Sequence, residues 1–475
     1  PFDVLLTPHL LRGENQITVV IDGSENPEIS PFGGQIDYLT YAGIYRNVWL
    51  KTTDGLRIKN VQAIAEDVLH DEKALAVRVY LDQVVPGNYD GELVARLTTV
   101  DGRLVAEHHH VMSDYQGRDD FRMTGLTNIR LWDVDEPVLY RLEVSISGNS
   151  FNHQFSTRVG FRQARFTPDG FLLNGRRLKI RGINRHQSYP YMGYAMGAHA
   201  QKADADFIKT TLKFNLVRTS HYPQSPAFLD RCDELGLLVF EEIPGWQHIG
   251  GEEWKQGAIA NVDAMIQRDW NHPSIVLWGV RINESRDDDH FYERTNKLAH
   301  SLDPSRQTGG VRCHTGSSLL EDVYTMNDFV LNGGAVALRD QQQVTGLDHK
   351  VPYLVTEYNG HMFPTKRFDA EERQHEHVIR HLRVLDASYA DPNISGCIAW
   401  CLFDYNTHKD FGSGDRICYH GVSDMFRIPK FAAYAYKSQC DVSDEPVMQP
   451  VTFWARGERC ECLILPLIIL TNCDE

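Results

Sequence analysis

Two hydrophobic patterns divide the chain. Up to about residue 160, short segments in which apolar and polar residues alternate recur between Gly, Asp, Asn and Pro, and this predicts β-strands. The clearest of these segments are 16–20, 47–51, 75–81, 92–98 and 140–146. A turn-like break at residues 52–55 (TTDG) separates them into two predicted β-sandwich domains, residues 1–53 and 54–160.

From about residue 166, near-continuous apolar segments alternate with amphipathic helical patterns, which predicts a parallel sheet covered by helices. The eight predicted strands are 178–183, 216–219, 237–241, 275–280, 309–312, 323–326, 353–357 and 394–403, and the clearest helices are 203–214, 227–235, 261–270, 290–302 and 371–389. Eight such units match a closed TIM barrel, assigned to residues 161–440. The rival is a doubly wound open sheet, but no GxGxxG follows the first strand.

The pattern changes again after residue 440. Segments 451–454 and 463–470 are strand-like, so residues 441–475 are predicted to begin a further β-sandwich domain that is cut short. The chain opens on Pro1 without Met and stops just after a strand-like segment. We therefore expect it to be a fragment of a longer protein.

Composition narrows the class of protein. The formal charge of −16, from 48 basic and 64 acidic residues, argues against a nucleic-acid partner. No apolar run reaches the ~20 residues that a membrane span needs. The nine cysteines are odd in number, and those in apolar surroundings (Cys232, Cys313, Cys397 and Cys401) are predicted to be free thiols. Free thiols favour a reducing compartment, so a cytoplasmic location is expected.

Polar residues gather where the predicted barrel strands end, which is where barrel enzymes carry out their chemistry. The strand-end segments are 184–187 (NRHQ), 218–223 (RTSHYP), 241–242 (EE), 283–284 (NE), 357–358 (EY), and Trp400 with 404–406 (DYN). Carboxylates after the fourth and seventh strands, Glu284 and Glu357, would face each other across the barrel mouth. Two carboxyl groups about 5–5.5 Å apart are what retaining glycoside hydrolysis requires.

Plainer interpretations stay open for single residues. Glu241 or Glu242 could be a salt-bridged loop residue, and His186 or His221 could simply bridge loops. A zinc site formed by His186, His221, His248 and Glu242 is a further alternative, although the sequence contains no HExxH. The convergence of these residues at one barrel face favours a carbohydrate-hydrolysing site over each of these alternatives.

A series of motifs resembles glycoside hydrolase family 2, the β-galactosidase and β-glucuronidase family. The matching segments are 42–50 (AGIYRNVWL), 181–186 (RGINRH), 218–223 (RTSHYP), 232–239 (CDELGLLV), 268–275 (RDWNHPSI), 278–284 (WGVRINE) and 356–358 (TEY). The resemblance implies a jelly-roll-like sugar-binding sandwich, an immunoglobulin-like sandwich and a catalytic TIM barrel, in that order. It also makes a homo-oligomer possible.

The same resemblance implies roles for individual residues. Glu284 would be the general acid/base and Glu357 the nucleophile. Asn283 would bind the sugar 2-hydroxyl, and Tyr324, at the end of the sixth strand, would orient the nucleophile. The other implied substrate-binding residues are His186, His221, Arg218, Trp400, Trp246 and Asp404.

The identity of the sugar rests on fewer residues. Segments 415–421 (DRICYHG) and 357–362 (EYNGHM) resemble the β-galactosidases of the family, and the Asn-x-Lys-Gly element of its glucuronidases is missing here. Trp246 stands where a magnesium-binding carboxylate would lie, so no cofactor is expected, neither Mg²⁺ nor Na⁺. The expected function is retaining exo-β-galactosidase acting on a β-galactoside, with loop 404–415 beside the aglycone. The alternatives are another β-glycoside (glucuronide, mannoside or glucosaminide) or a non-catalytic carbohydrate-binding protein.

Overall fold

The computed structural model describes residues 2–85, 87, 89–113, 117–330, 338–454 and 466–474. An antiparallel sandwich comes first. Its strands are β1 (Leu56–Glu66), β2 (Lys73–Gln83), β3 (Gly91–Thr99), β4 (Leu104–Met112), β5 (Arg118–Leu126), β6 (Tyr140–Gly148) and β7 (Phe151–Val159). They form two sheets, ordered β1-β2-β5 and β4-β3-β6-β7. Alternate residues such as Leu93, Ala95 and Leu97 are fully buried between the sheets, as the period-two pattern predicts.

The described residues before Leu56 contain no strand, only one 3₁₀ turn, Thr7–His9. The strands predicted at 16–20 and 47–51 are therefore wrong. A strand needs a partner for its backbone N–H and C=O groups, and these segments instead expose side chains such as Val20 and Leu50. The assignment of residues 1–53 to a sugar-binding sandwich stays a prediction.

Eight parallel strands close into a barrel. They are β11 (Ile180–Asn184), β12 (Leu216–Arg218), β13 (Leu238–Glu242), β14 (Ile275–Gly279), β15 (Gln307–Arg312), β16 (Val323–Asn327), β17 (Tyr353–Glu357) and β18 (Ile394–Ala399). The helices are α1 (Ala198–Asp206), α2 (Pro226–Leu235), α3 (Glu252–Asp269), α4 (Asp289–Leu302), α5 (Gln341–Thr345), α6 (Glu371–Ala390) and α7 (Phe431–Lys437). The predicted TIM barrel is thus confirmed, because each apolar strand is buried on both faces.

Small sheets complete the fold. The strands β8 (Ala164–Thr167), β9 (Gly170–Leu173) and β10 (Arg176–Arg177) lead into the barrel, and Phe166 and Phe171 pack against its interior core. Beyond the barrel lie the pairs β19 (Tyr405–Asn406) with β20 (Ile417–Cys418) and β21 (Met448–Pro450) with β22 (Ile469–Thr471). The predicted strand 463–470 falls partly outside the described residues, and segment 451–454 is irregular.

The sandwich and the barrel share a polar and aromatic junction. Trp270, which follows α3, stacks on Tyr80 with ring centroids 5.4 Å apart and donates its Nε1–H to the carbonyl of Val61 at 3.0 Å. Arg158 at the end of β7 donates to Glu234 of α2 at 2.8 Å. These contacts fix the sandwich to the outside of the barrel. No helix in the described ranges has the length and apolarity to cross a bilayer.

Candidate active site

Both candidate carboxylates lie at the carboxyl ends of barrel strands. Glu357 is the last residue of β17 and is almost fully buried, whereas Glu284 lies five residues beyond β14 and is half-buried. The backbone of Glu284 has a φ of +55°, in the left-handed region that side-chain-bearing residues rarely adopt, and its N–H donates to the carbonyl of Val311 at 2.9 Å. Such local strain is typical of residues held in place for function.

Arg218 is the centre of the buried part of the site. Its guanidinium donates two hydrogen bonds to Glu242, both 2.8 Å long, and one to Glu357 Oε1 at 2.6 Å. The remaining two N–H groups reach the side-chain oxygens of Asn184 and Asn283, each at 2.9 Å. An arginine has five N–H donors, so none is left for a substrate. In this arrangement Arg218 positions Glu357, Glu242 and Asn283, and its predicted role in binding substrate stays a prediction.

The charge on Glu357 is set by two opposing effects. Burial raises the pKa of Glu357, while the Arg218 guanidinium lowers it and the charge of Glu284 raises it again. The net effect of burial is to raise the pKa of Glu357 well above its usual range, and the Arg218 contact at 2.6 Å is the interaction that favours its ionised form.

The ring of His221 has a defined tautomer. Its Nδ1 lies 2.8 Å from Glu242 Oε1 and 3.1 Å from Nη2 of Arg218, and we assign the proton to Nδ1 because both N–H groups of that Nη2 already reach oxygen acceptors. Burial, together with Arg218, holds the pKa of His221 well below its usual range, so the ring is neutral. Its Nε2, 3.9 Å from Glu357 Oε1, is then left as a lone-pair acceptor beside the nucleophile candidate.

Two nitrogen atoms at this site are among the buried polar atoms that lack a hydrogen-bond partner in the described part of the chain. They are Nε2 of His186 and Nδ2 of Asn283, whose Oδ1 accepts from Arg218. The other nitrogen of His186 lies 3.2 Å from the hydroxyl of Tyr222. Buried polar groups without a partner are costly and rare, so we interpret both as donors that await a polar ligand.

Asp37 and Tyr38 reach the site from the irregular segment before the sandwich. Oxygen and nitrogen atoms of Asp37, His186 and His221 lie within 4.8 Å of one another, and Tyr38 packs on both imidazoles. Burial and the charge of Glu284 raise the pKa of Asp37 to about 7. The sequence analysis missed Asp37; its only signal is a single acidic residue among aromatic and apolar neighbours in 36–45 (IDYLTYAGIY).

Trp400 forms an aromatic floor against His221 and His186, and its predicted role in binding substrate stays a prediction. Its indole lies parallel to His221, with ring centroids 5.2 Å apart and an interplanar angle of 8°, and it meets His186 edge-on at 5.3 Å. The Nε1–H of Trp400 donates to His420 at 3.3 Å. The floor is therefore a rigid aromatic surface of the kind on which sugars stack.

Glu284 is held by two side-chain amides that the sequence analysis also missed. Gln247 donates from Nε2 to Oε2 at 3.1 Å, and Asn327 donates from Nδ2 to Oε1 at 2.9 Å. Gln247 follows β13 and Asn327 ends β16, but single amides at or near strand ends carry no distinctive sequence signal. Trp246, the neighbour of Gln247, pairs its backbone with Asn283 and packs its ring edge-on against Phe411.

Comparisons with known proteins agree with this geometry. Residues 165–443 match the family model described as "Glycosyl hydrolases family 2, TIM barrel domain", and residues 56–162 match "Glycosyl hydrolases family 2". The chain belongs to glycosyl hydrolase family 2. The family resemblance noted in the motifs is thus confirmed.

Named family 2 relatives are similar over almost the whole chain. A β-galactosidase of Thermoanaerobacterium thermosulfurigenes is 58% identical across 97% of this chain and 64% of that protein. A β-galactosidase of Rhizobium meliloti is 50% identical across 100% of this chain and 64% of that protein. The chain therefore spans somewhat less than two thirds of the length of these relatives.

Solved family 2 structures share the fold. A β-glucuronidase from Parabacteroides merdae superposes with a TM-score of 0.79 at 23% identity, covering 96% of this chain and 61% of that one. A β-galacturonidase from Eisenbergiella tayi bound to galacturonate gives a TM-score of 0.76 at 27% identity, covering 88% of this chain and 78% of that one.

Two residues that the family resemblance singled out lie elsewhere than expected. Tyr324 is the second residue of β16, paired with Tyr353 near the start of β17, and packs in the layer between barrel and helices. The prediction that Tyr324 lies at the strand end beside Glu357 is wrong, because side chains alternate along a strand and Tyr324 faces outward. Asn327 occupies that strand end instead.

Asp404 is tied into the protein. Its Oδ1 accepts hydrogen bonds from Lys430 Nζ at 2.6 Å and from the N–H of Gly421 at 2.9 Å. Burial raises the pKa of Asp404 to about 6, against the opposing effect of Lys430. This arrangement is typical of a residue that shapes a loop, and the predicted contact between Asp404 and substrate stays a prediction.

The residues present do not form the magnesium site of some family 2 galactosidases. Trp246 offers no ligand atom, and both oxygens of Glu284 face amide N–H groups, which cannot coordinate a cation. The ring of His248 packs on Trp254, with ring centroids 5.7 Å apart, and lies close to Gly33. It is therefore separated from His186, His221 and Glu242, the other residues of the alternative zinc site. Asp37, His186 and His221 form the one carboxylate and imidazole cluster near the described catalytic groups.

Proposed function

We propose that this chain carries the catalytic part of a retaining exo-β-galactosidase. The observation that supports this most is the pair of carboxylates after β14 and β17, one open to the mouth and one buried on Arg218. A half-buried acid facing solvent suits protonation of a departing aglycone, and a buried ionised carboxylate suits attack on the anomeric carbon.

In the first step, Glu284 gives its proton to the glycosidic oxygen while Glu357 attacks the anomeric carbon. The bond from that carbon to the aglycone oxygen breaks, and an ester bond to Glu357 forms. Arg218 and His221 both approach Oε1 of Glu357, so we assign the attack to Oε2.

In the second step, water replaces the aglycone. The Glu284 carboxylate takes a proton from this water, whose oxygen attacks the anomeric carbon, and Glu357 leaves again as a carboxylate. The free Nδ2–H of Asn283 would donate to the sugar 2-hydroxyl throughout, and this bond strengthens as positive charge develops on the ring.

The sugar pocket suits a neutral sugar. His186 offers a donor, His221 and Asp37 offer acceptors, and galactose hydroxyls can both accept from the donor and donate to the acceptors. The cation beside the nucleophile, Arg218, has every N–H engaged and cannot receive a sugar carboxylate. The 58% and 50% identical relatives are named β-galactosidases, which supports the same choice.

A β-uronide is the second candidate. A Formosa agariphila protein named putative β-glucuronidase is 31% identical over 100% of this chain and 62% of that protein, and the E. tayi relative is a β-galacturonidase. Mannosides and glucosaminides, or carbohydrate binding without catalysis, are separated from both by the assays below.

We further propose that hydrolysis needs no divalent metal or other cofactor and involves no nucleic acid or membrane; a homo-oligomer stays a prediction.

The test is covalent trapping with a 2-deoxy-2-fluoro-β-galactosyl reagent that carries a good leaving group. Fluorine at C2 slows the second step, so the glycosyl-enzyme accumulates. We expect intact mass to rise by one fluorosugar, and peptide mapping to place it on Glu357. The matched reagents of the glucuronyl, mannosyl and glucosaminyl series are the comparison.

Each outcome decides between candidates. Labelling by the galactosyl reagent alone supports the proposal, and labelling by the glucuronyl reagent alone would replace it with the second candidate. Label on a residue other than Glu357 would refute the assigned nucleophile. Tight binding of galactose by a protein that neither labels nor turns over any reagent of the series would point to the non-catalytic alternative.

A further inference from the structure

The proton-donor candidate Glu284 is held by two amides of unequal character. Asn327 is buried, and its own Oδ1 accepts a hydrogen bond from Thr356 at 3.0 Å, so its Nδ2–H points firmly at Oε1 of Glu284. Thr356 directly precedes Glu357. One side of Glu284 is thus fixed to the strand that carries the nucleophile candidate.

The other side of Glu284 is held from the surface. Gln247 is exposed, and its side chain reaches Oε2 at 3.1 Å. The loop that presents it is fixed: the N–H of Gln247 donates to the carbonyl of Asn283 at 2.7 Å, and its φ of +60° is left-handed. The backbone is therefore built to aim this amide at Glu284, while the side chain itself is exposed to solvent.

The contacts of Glu284 with Asn327 and with Gln247 are expected to change differently when Glu284 acts as an acid. An N–H donor stabilises the ionised carboxylate, and a general acid must carry a proton and present it to the glycosidic oxygen. That oxygen arrives from the open mouth, the side on which Gln247 lies. An oxygen of Glu284 that carries the proton and donates it to the glycosidic oxygen is a weaker acceptor than a carboxylate oxygen, so the Gln247 contact is weakened when Glu284 acts as the acid.

We propose that Gln247 is a positioning residue that stabilises ionised Glu284 in the empty site and gives up Oε2 to the glycosidic oxygen when substrate binds. This inference rests on the proposed function and extends it. Gln247 directly follows Trp246, which stands where the family resemblance implied a magnesium-binding carboxylate. The exposed amide of Gln247 therefore lies beside Glu284 in a loop that lacks that metal ligand. Asn327 keeps Oε1 in both states and so holds the orientation of the acid.

The test compares pH profiles of Gln247→Leu, which keeps the size and removes the donor. The alkaline limb of kcat/KM reports the acid in the free enzyme, and that of kcat reports it in the complex. We expect the kcat/KM limb to move up by roughly 0.5–1 pH unit, with the kcat limb unchanged, on a galactoside with a poor leaving group such as lactose. Gln247→Glu should move the kcat/KM limb further, because a like charge favours protonation.

Controls separate this idea from general damage. On α3, Gln256 donates to Glu252 at 2.7 Å, the same amide–carboxylate contact on an exposed surface. Gln256→Leu should leave both limbs in place. Asn327→Leu should move both limbs and lower kcat, because its contact persists in the complex.

Coincident profiles for the wild type and Gln247→Leu, or equal movement of both limbs, would overturn the inference for Gln247. A wild-type protein that cleaves no galactoside would instead refute the proposed function, so the two failures are distinguishable. If the wild type prefers another glycoside, the same profiles on that substrate test Gln247 equally well.

Discussion

Removal of the Arg218 guanidinium tests the buried centre of the site most directly. Arg218→Met keeps an unbranched apolar stem and leaves Glu242 and Glu357 buried without their partner. Breaking a buried ion pair in this way costs about 3–5 kcal/mol of stability. The loss of one adjacent positive charge also raises the pKa of Glu357 by about 1–3 units, beyond the increase that burial already causes.

The sign of the activity change follows from the role of Glu357. The nucleophile must be ionised, so activity falls as pH drops through its pKa, and raising that pKa moves the acidic limb of kcat/KM upward. We expect a shift of about 1–3 pH units for Arg218→Met. Arg218→Lys retains the charge but has three donors for five partners, and a smaller shift is expected.

Arg185→Met is the matched control. Arg185 is just as buried and pairs with Asp204 at 2.6 Å, but its other contacts include Gln201, Gln224 and Phe228 and neither catalytic candidate. Both variants should lose stability, measured by urea unfolding followed by circular dichroism. Only the Arg218 variants should move the acidic limb. An identical limb in Arg218→Met and Arg185→Met would refute the claim that Arg218 favours the ionised form of Glu357.

Four further outcomes are expected. Glu357→Ala should lose turnover by several orders of magnitude and regain part of it with azide, giving the α-galactosyl azide by NMR; a β-azide or no rescue would contradict the nucleophile. Glu284→Gln should lower kcat/KM about 10²–10⁴-fold for lactose and far less for a dinitrophenyl galactoside, which departs without a proton; equal losses would remove Glu284 as the acid. Asp37, whose pKa burial raises from 3.8 to about 7, keeps its proton longer in the folded state, so wild-type stability should fall as pH rises from about 4 to 7, relative to Asp37→Asn; parallel curves would contradict this. Incubation with EDTA should leave kcat/KM unchanged, whereas a loss restored by Mg²⁺ would show a metal requirement.

The barrel was predictable because its strands are short, apolar and buried on both faces. The bounds of β14 and β17 follow from such runs almost residue by residue, and Glu284 and Glu357 follow from their ends. Tyr324 was misplaced because its segment, VYTMN, shows no regular alternation of apolar and polar residues. Period-two alternation therefore gave no sign of which side chains face the helices and which face the mouth.

The rest of the site depends on contacts that local sequence does not encode. The sequence alone shows only that Arg218 is a positively charged residue at the end of a strand. The positions of five acceptor atoms in the folded structure are needed to show that all five of its N–H donors are engaged. Asp37 belongs to a segment without regular structure, and Gln247 is an exposed loop amide. Their proximity to Glu284 arises when distant parts of the chain close over the barrel mouth.

One wall of the candidate site comes from chain far away in sequence. The hydroxyl of Thr407 donates to the carbonyl of Asp37, and these residues are separated by 370 positions. Contacts of such long range form late, because the sandwich and most of the barrel must already be in place. During refolding, tryptophan fluorescence and circular dichroism should therefore recover before hydrolysis does, with the final return of activity marking the moment when the segment around Asp37 settles onto the barrel.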